Sequence, residues 1–252
     1  MDTKKFYQRL SNNLFKSRFN QNQVDGINGI LTGMDEVGDK DIDTLAYALA
    51  TAYHETGSRM IPVREGFAKS DSSARQMVSD LARKRGPKSA VAKYAKPTGP
   101  YNQVYYGRGH VQLTWLENYE KASKVAGVDL VKDPDKMLDP VISARVLISG
   151  LISGQWGGNK GIADYEGSDD HLDTTEATEA RRTVNGKDKA ALIAGYHKAF
   201  YDALTEAEWQ PKTNSKPIPI SATIGTAAVV GGLTFWPNIQ HFFHWLTSFL
   251  PF

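Results

Sequence analysis

The chain has 252 residues, of which 40% are hydrophobic and 23% charged, which suffices for one large domain with an appendage. The formal net charge of +2 is too weak to indicate a nucleic-acid partner, but it suits an acidic polymer such as a cell wall. The absence of cysteine excludes a disulfide framework and thiol chemistry. Polar residues follow the first six positions, so no secretory signal peptide is predicted.

The first helices are predicted from apolar periodicity and capping residues. Residues 1–37 show a 3.6-residue apolar period that predicts two short helices. The next helix begins at Asp41 or Asp43, either of which can cap it, and ends near Gly57. Glu55 therefore lies in the last turn, where the helix dipole disfavours a negative charge. That position suits a general acid.

The middle of the chain mixes extended, helical and turn patterns. Residues 58–67, which include Glu65, look extended, and residues 70–85 look helical. A Pro- and Gly-containing loop follows, and residues 104–114 form a predicted hairpin around Gly107 and Gly109. Later helices are predicted at about 116–126, 140–155, 174–184 and 187–205.

The composition changes sharply after residue 208. Residues 209–217 have the composition of a linker, and no Asp, Glu, Lys or Arg follows them. The stretch 218–236 is apolar over 19 residues, just long enough to span a bilayer core. Residues 239–250 have an amphipathic pattern typical of an interfacial helix. We therefore predict a membrane-associating tail over 218–252, with a hydrophobic strap packed on the domain as the alternative.

Glu55 and Glu65 are the two candidate carboxyl groups for cleavage of a sugar chain. Such cleavage needs one protonated carboxyl to protonate the leaving oxygen and one ionised carboxylate to activate water or attack carbon. Glu65, beside Arg64 on an extended segment, suits the ionised partner. A zinc-peptidase site at His54 and Glu55 would need a second histidine at position 58, which is Ser58. No metal site and no cofactor are predicted.

Three motifs resemble those of the glycoside hydrolase family 19 chitinases. Residues 52–57, AYHETG, resemble the family's His-Glu-Thr signature. Residues 106–114, YGRGHVQLT, resemble its Tyr-Gly-Arg-Gly-Pro-Ile-Gln-Leu-Ser motif, although His110 stands where the family often has Pro. Residues 181–186, RRTVNG, resemble its Asn-Gly element. The form of residues 61–66 looks closest to the phage endolysin branch, which cleaves peptidoglycan.

The resemblance implies a role for several residues. Glu55 matches the general acid, Glu65 the general base, and Thr114 the hydroxyl that holds the attacking water. The family inverts configuration, so the two carboxyls should lie about 6.5–9.5 Å apart. The spacing of the glutamates is shorter here than in plant members, which makes the match of Glu65 less direct. The residues expected to line the sugar cleft are Gln112, Asn118, Asn185 and, as a ring that stacks on sugars, Tyr106.

The sequence therefore predicts a mainly α-helical, lysozyme-like domain over residues 1–208, with a small β-hairpin sheet at the cleft and a C-terminal apolar helical tail. The predicted function is hydrolysis of β-1,4 bonds in peptidoglycan by an endolysin. Its expected partners are peptidoglycan strands, a host or virion bilayer through residues 218–252, and a separate pore-forming lysis protein. The alternatives are a chitinase and a membrane-anchored, wall-binding virion protein with an inactive site.

Overall fold

The computed structural model describes residues 1–212, and these form a mainly helical domain with one small sheet. The α-helices are α1 (Thr3–Leu10), α2 (Gln21–Val37), α3 (Ile42–Glu55), α4 (Asp71–Arg85), α5 (Ala90–Tyr94), α6 (Leu116–Ala126), α7 (Pro140–Ser153), α8 (Thr174–Glu179), α9 (Arg182–Asn185) and α10 (Ala190–Glu206). The strands are β1 (Val63–Arg64) and β2 (Arg108–Gly109). Shorter turns are a π-helical turn at Ser11–Phe15 and 3-10 turns at Glu65–Phe67, Pro134–Leu138 and Ile162–Asp164. The predicted fold class is confirmed.

Helix α3 is the centre of the domain and ends at the candidate acid. Asp41 caps its start by accepting a hydrogen bond from the Thr44 amide at 2.9 Å. The sequence pattern predicted one buried face, yet the helix is buried all round from residue 43 to residue 52. Helices α10, α7 and α2 surround it. Small and apolar residues on every side of α3 permit this central position. Its last three residues, Tyr53, His54 and Glu55, are partly exposed.

The sheet joins the two segments that carry the sugar-cleavage motifs. The predicted hairpin at 104–114 is reduced to one bridge, between Arg108 and Leu113. Strand β2 instead pairs antiparallel with β1, with Val63 opposite Gly109. Directly after β1, the Glu65 amide donates to the Gly107 carbonyl at 2.7 Å. This pairing between distant segments sets the position of Glu65.

Arg108 fixes the loop that contains β2. Its guanidinium is fully buried and forms ion pairs with Asp71 at 3.0 Å and with Asp135 at 2.7 Å. Its carbon Cζ lies 3.5 Å from the centre of the Tyr106 ring. Breaking a buried pair of this kind leaves an uncompensated charge and costs about 3–5 kcal/mol. Arg108 is therefore a structural residue, which agrees with the motif placing it between two turn glycines.

The C-terminal half follows the predicted helices with two changes at their ends. Gly154, in the left-handed region with φ of +65°, stops α7 at Ser153. The helix predicted at 174–184 is divided into α8 and α9. Among residues 1–212, no helix combines the length and hydropathy needed to cross a bilayer. The predicted tail at 218–252, like most of the linker, lies outside the described residues.

Candidate active site

An open cleft of about 480 Å³ contains most of the predicted site residues. The predicted residues that line it are Glu55, Glu65, Gln112, Thr114, Asn118 and Asn185. Three aromatic residues join them, namely Tyr94, Trp115 and Trp156. The cleft thus lies between the end of α3, the turn after β1, the 107–115 loop and α9. Acid groups, amides and aromatic rings in one open groove form a surface suited to a polar polymer.

Glu65 is held with both carboxylate oxygens hydrogen-bonded. The Tyr94 hydroxyl donates to Oε1 at 2.7 Å, and the Gly107 amide donates to Oε2 at 2.9 Å. Burial raises the pKa of the Tyr94 hydroxyl, and its hydrogen bond to Glu65 raises it further, so the tyrosine stays a donor. The two donors fix the orientation of the Glu65 carboxyl group in the cleft. The geometry suits Glu65 to accept a proton from water.

Gly107 lies next to Glu65, where a side chain would displace Gln112. A Cβ at this position would lie 2.9 Å from Gln112 Oε1 and 3.4 Å from Glu65 Oε2. The absence of a side chain lets the amide of Gly107 approach the carboxylate. The Gly in the YGRG motif is thereby explained by the site and not only by turn geometry.

Glu55 forms an ion pair that the sequence did not predict. Arg181 Nη2 donates to Glu55 Oε1 at 2.8 Å, and the side chains are 1% and 18% exposed, respectively. The predicted environment of Glu55 was an apolar helix end, so the buried guanidinium is a correction. Within the described chain, Oε2 of Glu55 forms no hydrogen bond, so this oxygen is available to a ligand.

His54, the neighbour of Glu55, is a neutral packing residue. Burial lowers its pKa, and the charge of Glu55 raises it only in part. Its ring lies 6.3 Å from the ring of Tyr196 on α10. This position agrees with the hypothesis that His54 packs and does not bind zinc.

Thr114, Gln112 and Asn118 form a connected run along the cleft wall. Thr114 Oγ1 donates to the Gln112 carbonyl at 2.9 Å, which leaves its lone pairs free to accept from a water. The Gln112 amide donates to the Val63 and Gly109 carbonyls, each at 3.0 Å. The Asn118 amide donates to the Thr114 carbonyl at 2.9 Å. Both amide groups therefore hold the loop in place, and their carbonyl oxygens remain for a ligand.

Tyr106 does not line the cleft, so its prediction as a sugar-stacking residue is corrected. Its ring is fully buried in a second apolar cluster with Val78 and Val91. Its hydroxyl donates to Asp71 Oδ1 at 2.8 Å. In a strand, alternate side chains face opposite sides, but residues 104–114 are mostly an irregular loop. The sequence therefore does not specify which of these side chains face the cleft. Tyr106 supports the loop from behind.

The aromatic residues that do line the cleft come from positions the motifs did not single out. Tyr94 meets Trp115 edge to face, with ring centroids 5.3 Å apart at an angle of 84°. Trp115 follows Thr114 directly, which is the one local signal that could have identified it. Trp156, which follows α7, also lines the cleft. Arg181, the ion-pair partner of Glu55, was also not predicted. The two residues are 126 positions apart in sequence, and no local pattern connects them.

Three carboxyl groups outside the cleft lie close together. Within the described chain they are the one group of three potential metal-binding side chains whose ligand atoms all lie within 4.8 Å of one another. It consists of Asp41, Asp43 and Glu166. Burial first, and then the charges of the two aspartates, raises the pKa of Glu166 to about 7. His171 Nδ1 lies 2.9 Å from Asp43 Oδ2 and His197 Nε2 lies 2.8 Å from Asp43 Oδ1, so two histidines flank the buried carboxyl group. The group plays no part in the cleft.

Comparison with known families gives one match over just over half of the chain. The family model described as glycoside hydrolase family 19, chitinase class I, matches residues 25–157. This range contains Glu55, Glu65 and Thr114, whereas Arg181 and Asn185 lie beyond it.

Curated relatives match over shorter segments. Chitinase 11 of Oryza sativa subsp. japonica is 46% identical over 50 residues, which cover 19% of this chain and 20% of that protein. Inactive chitinase-like protein 1 of Hevea brasiliensis is 32% identical over 84 residues, or 26% and 27% of the two chains. The chain thus spans about a fifth to a quarter of the length of these relatives.

A solved structure of chitinase C from Streptomyces griseus HUT6037 is 19% identical, with a TM-score of 0.45. The alignment covers 84% of this chain and 78% of that one.

Proposed function

This chain belongs to glycoside hydrolase family 19 (chitinase class I), and from that premise we propose that it hydrolyses β-1,4 bonds in a polymer of N-acetylated aminosugars. The observation that carries the proposal is the pair of carboxyl groups in one cleft. Glu65 has two hydrogen-bond donors, whereas Glu55 keeps Oε2 open toward the cleft space. Two carboxyl groups in different environments are what inverting glycosidases need.

The proposed reaction proceeds in one displacement. Glu55 donates a proton from Oε2 to the oxygen of the leaving sugar. Glu65 removes a proton from a water that the Thr114 hydroxyl helps to hold, and that water attacks the anomeric carbon from the opposite face. Arg181 then stabilises the carboxylate that Glu55 becomes, because its guanidinium already lies 2.8 Å from Oε1. The residues form no covalent intermediate.

We propose peptidoglycan as the substrate and chitin as the second candidate. Peptidoglycan is supported by the endolysin-like form of residues 61–66 and by the net positive charge of +2, which suits an anionic polymer. Chitin is supported by the names of the relatives, such as Chitinase 11. One relative is named inactive, so family membership alone does not establish turnover.

Digestion of purified substrates tests the proposal directly. Purified sacculi and a soluble chitin derivative are incubated with the full chain, and the new reducing ends are identified by mass spectrometry after borohydride reduction. We expect muropeptides with a reduced aminosugar end from sacculi. Cleavage of chitin alone would replace the proposed substrate, and binding without cleavage of either polymer would favour the wall-binding alternative.

The residues after 217 supply a second proposal, which concerns location. We propose that residues 218–252 attach the enzyme to a membrane, because this stretch contains no Asp, Glu, Lys or Arg. Access to the wall would then require a separate pore-forming protein. Deletion of residues 211–252 should release the protein from the membrane fraction of expressing cells. Full-length protein that is already found in the supernatant would contradict the anchor.

A further inference from the structure

Six basic side chains beside the cleft form what we call the basic surface. They are Arg83, Lys84, Arg85, Lys88, Lys93 and Lys96, and all six are exposed. No Asp or Glu occurs between residues 81 and 116. The whole chain carries a formal charge of +2, so the remaining residues carry −4 without these six. The positive excess of the chain therefore lies on this one surface.

The fold holds the basic surface in place. The first three residues lie in the last turn of α4, and a turn at Gly86, with φ of +83°, leads on toward α5. Helix α5 packs on α4 through buried Val78 and Val91. Arg83 pairs with Asp80 on its own helix. Within the described chain, Lys84, Lys88, Lys93 and Lys96 form no ion pair with a carboxylate. These four ammonium groups are available to an anionic partner.

The basic surface is continuous with the wall of the cleft. Tyr94 lies between Lys93 and Lys96 in sequence, lines the cleft and donates to Glu65. Lys93 and Lys96 are one and two residues from Tyr94, so their Cα atoms lie within about 7 Å of its Cα. Helix α5, which ends at Tyr94, packs against α4, whose last turn carries Arg83, Lys84 and Arg85. A polymer that extends from the cleft past Tyr94 would therefore come next to the basic surface.

We propose that the basic surface binds the free carboxylates that a peptidoglycan strand carries on its stem peptides, while the sugars of that strand occupy the cleft. The inference rests on the proposed function and specifies how the substrate is selected. Chitin carries no such carboxylates, so the surface favours an anionic glycan over a neutral one. Each exposed ion pair is weak, but charges that repeat along a strand allow several of them to form together.

Binding without turnover separates this inference from the catalytic proposal. The full chain with Glu55→Gln is sedimented with sacculi from which wall phosphate polymers have been removed, at low and at physiological salt. The test variant adds K84Q, K88Q, K93Q and K96Q. A matched control adds K5Q, K121Q, K124Q and K136Q, which remove the same charge from exposed positions elsewhere. Thermal unfolding of both variants checks that each is folded.

We expect the test variant to bind sacculi about tenfold more weakly than its parent, whereas the control changes by less than about threefold, because exposed ion pairs contribute about 1.4- to 5-fold each. Binding of the parent should weaken with salt and after amidation of the sacculus carboxyls. Equal weakening in both variants, or unchanged binding to amidated sacculi, would overturn the inference. So would a loss seen only with phosphate-bearing walls or with anionic lipid vesicles. This assay measures binding and not cleavage. If the unsubstituted chain hydrolyses only chitin, that result refutes the proposed substrate, and the binding result can still be interpreted.

Discussion

The ion pair between Glu55 and Arg181 should contribute to the free energy of unfolding. Arg181 donates to Glu55 Oε1 at 2.8 Å and to the Asp188 carbonyl at 3.2 Å. Arg181→Met keeps an unbranched apolar stem but removes the guanidinium and with it both hydrogen bonds. A hydrogen bond to a charged group contributes about 1.5–3 kcal/mol, and one to a neutral carbonyl about 0.5–1.5 kcal/mol. These contributions act together at one buried residue.

Part of that loss is regained because a buried guanidinium is costly to desolvate. Arg181 is 1% exposed, and its Nη1 atom has no hydrogen-bond partner in the described residues. We therefore expect Arg181→Met to lower the free energy of unfolding by about 2 kcal/mol. For a domain of this size that corresponds to a fall in Tm of about 4–8 °C.

A double-mutant cycle in urea measures the coupling. The free energies of unfolding are compared for the parent, Arg181→Met, Glu55→Gln and the double variant. We expect a coupling energy of about 1–2 kcal/mol, because removing both charges leaves neither one unpaired. Arg181→Lys is the control, since it keeps the charge but lacks the planar fork. Strict additivity, within about 0.5 kcal/mol, would show that the two side chains do not interact and would refute the reasoning.

Three further predictions concern the cleft wall, its loop and the acidic cluster. Tyr94→Phe removes the 2.7 Å hydrogen bond to Glu65 and should lower kcat about 10- to 100-fold, whereas Tyr101→Phe, on an exposed tyrosine, should leave kcat unchanged. Gly109→Ala forces a Cβ to within 2.7 Å of Ser143 Oγ and Met137 Cε at a φ of +87°. It should therefore destabilise the domain by about 2 kcal/mol more than Gly127→Ala, where no atom lies within 4 Å. Glu166 has a folded-state pKa of about 7, above its ordinary 4.5, so its contribution to stability is present below the ordinary value and is lost as pH rises toward 7. Differential scanning calorimetry should show Glu166→Gln gaining Tm relative to the parent between about pH 5 and about pH 8, and a constant difference would contradict the raised pKa.

Local sequence signals were sufficient for the elements with strong caps and periodicity. Asp41 and Gly57 bracket the helix that ends at Glu55, and the observed α3 begins and ends within two residues of them. The acid therefore has a position that the chain specifies locally. The same signals underestimated how deeply α3 is buried, because its small residues look neutral until three other helices surround them.

Contacts between distant segments were beyond the reach of local signals. Glu65 is placed by the pairing of β1 with β2, some 45 residues apart, and by the Gly107 amide. The role of Arg181 depends on the residue before α9 lying against the end of α3, where it donates to Glu55. Tyr106 has the right ring for sugar stacking, but the loop turns it inward against Val78 and Val91. Side-chain direction in irregular segments is a tertiary property, which explains both the omission and the error.

The central claim is that Glu55 protonates the leaving sugar in this cleft. Its most direct test is the initial rate of glycan cleavage by Glu55→Gln on the polymer that the parent hydrolyses, with matched thermal unfolding curves for both proteins. Loss of a general acid predicts a fall in kcat of about 100-fold or more with the fold retained. A Glu55→Gln variant that is folded and cleaves within about threefold of the parent rate would contradict the assignment.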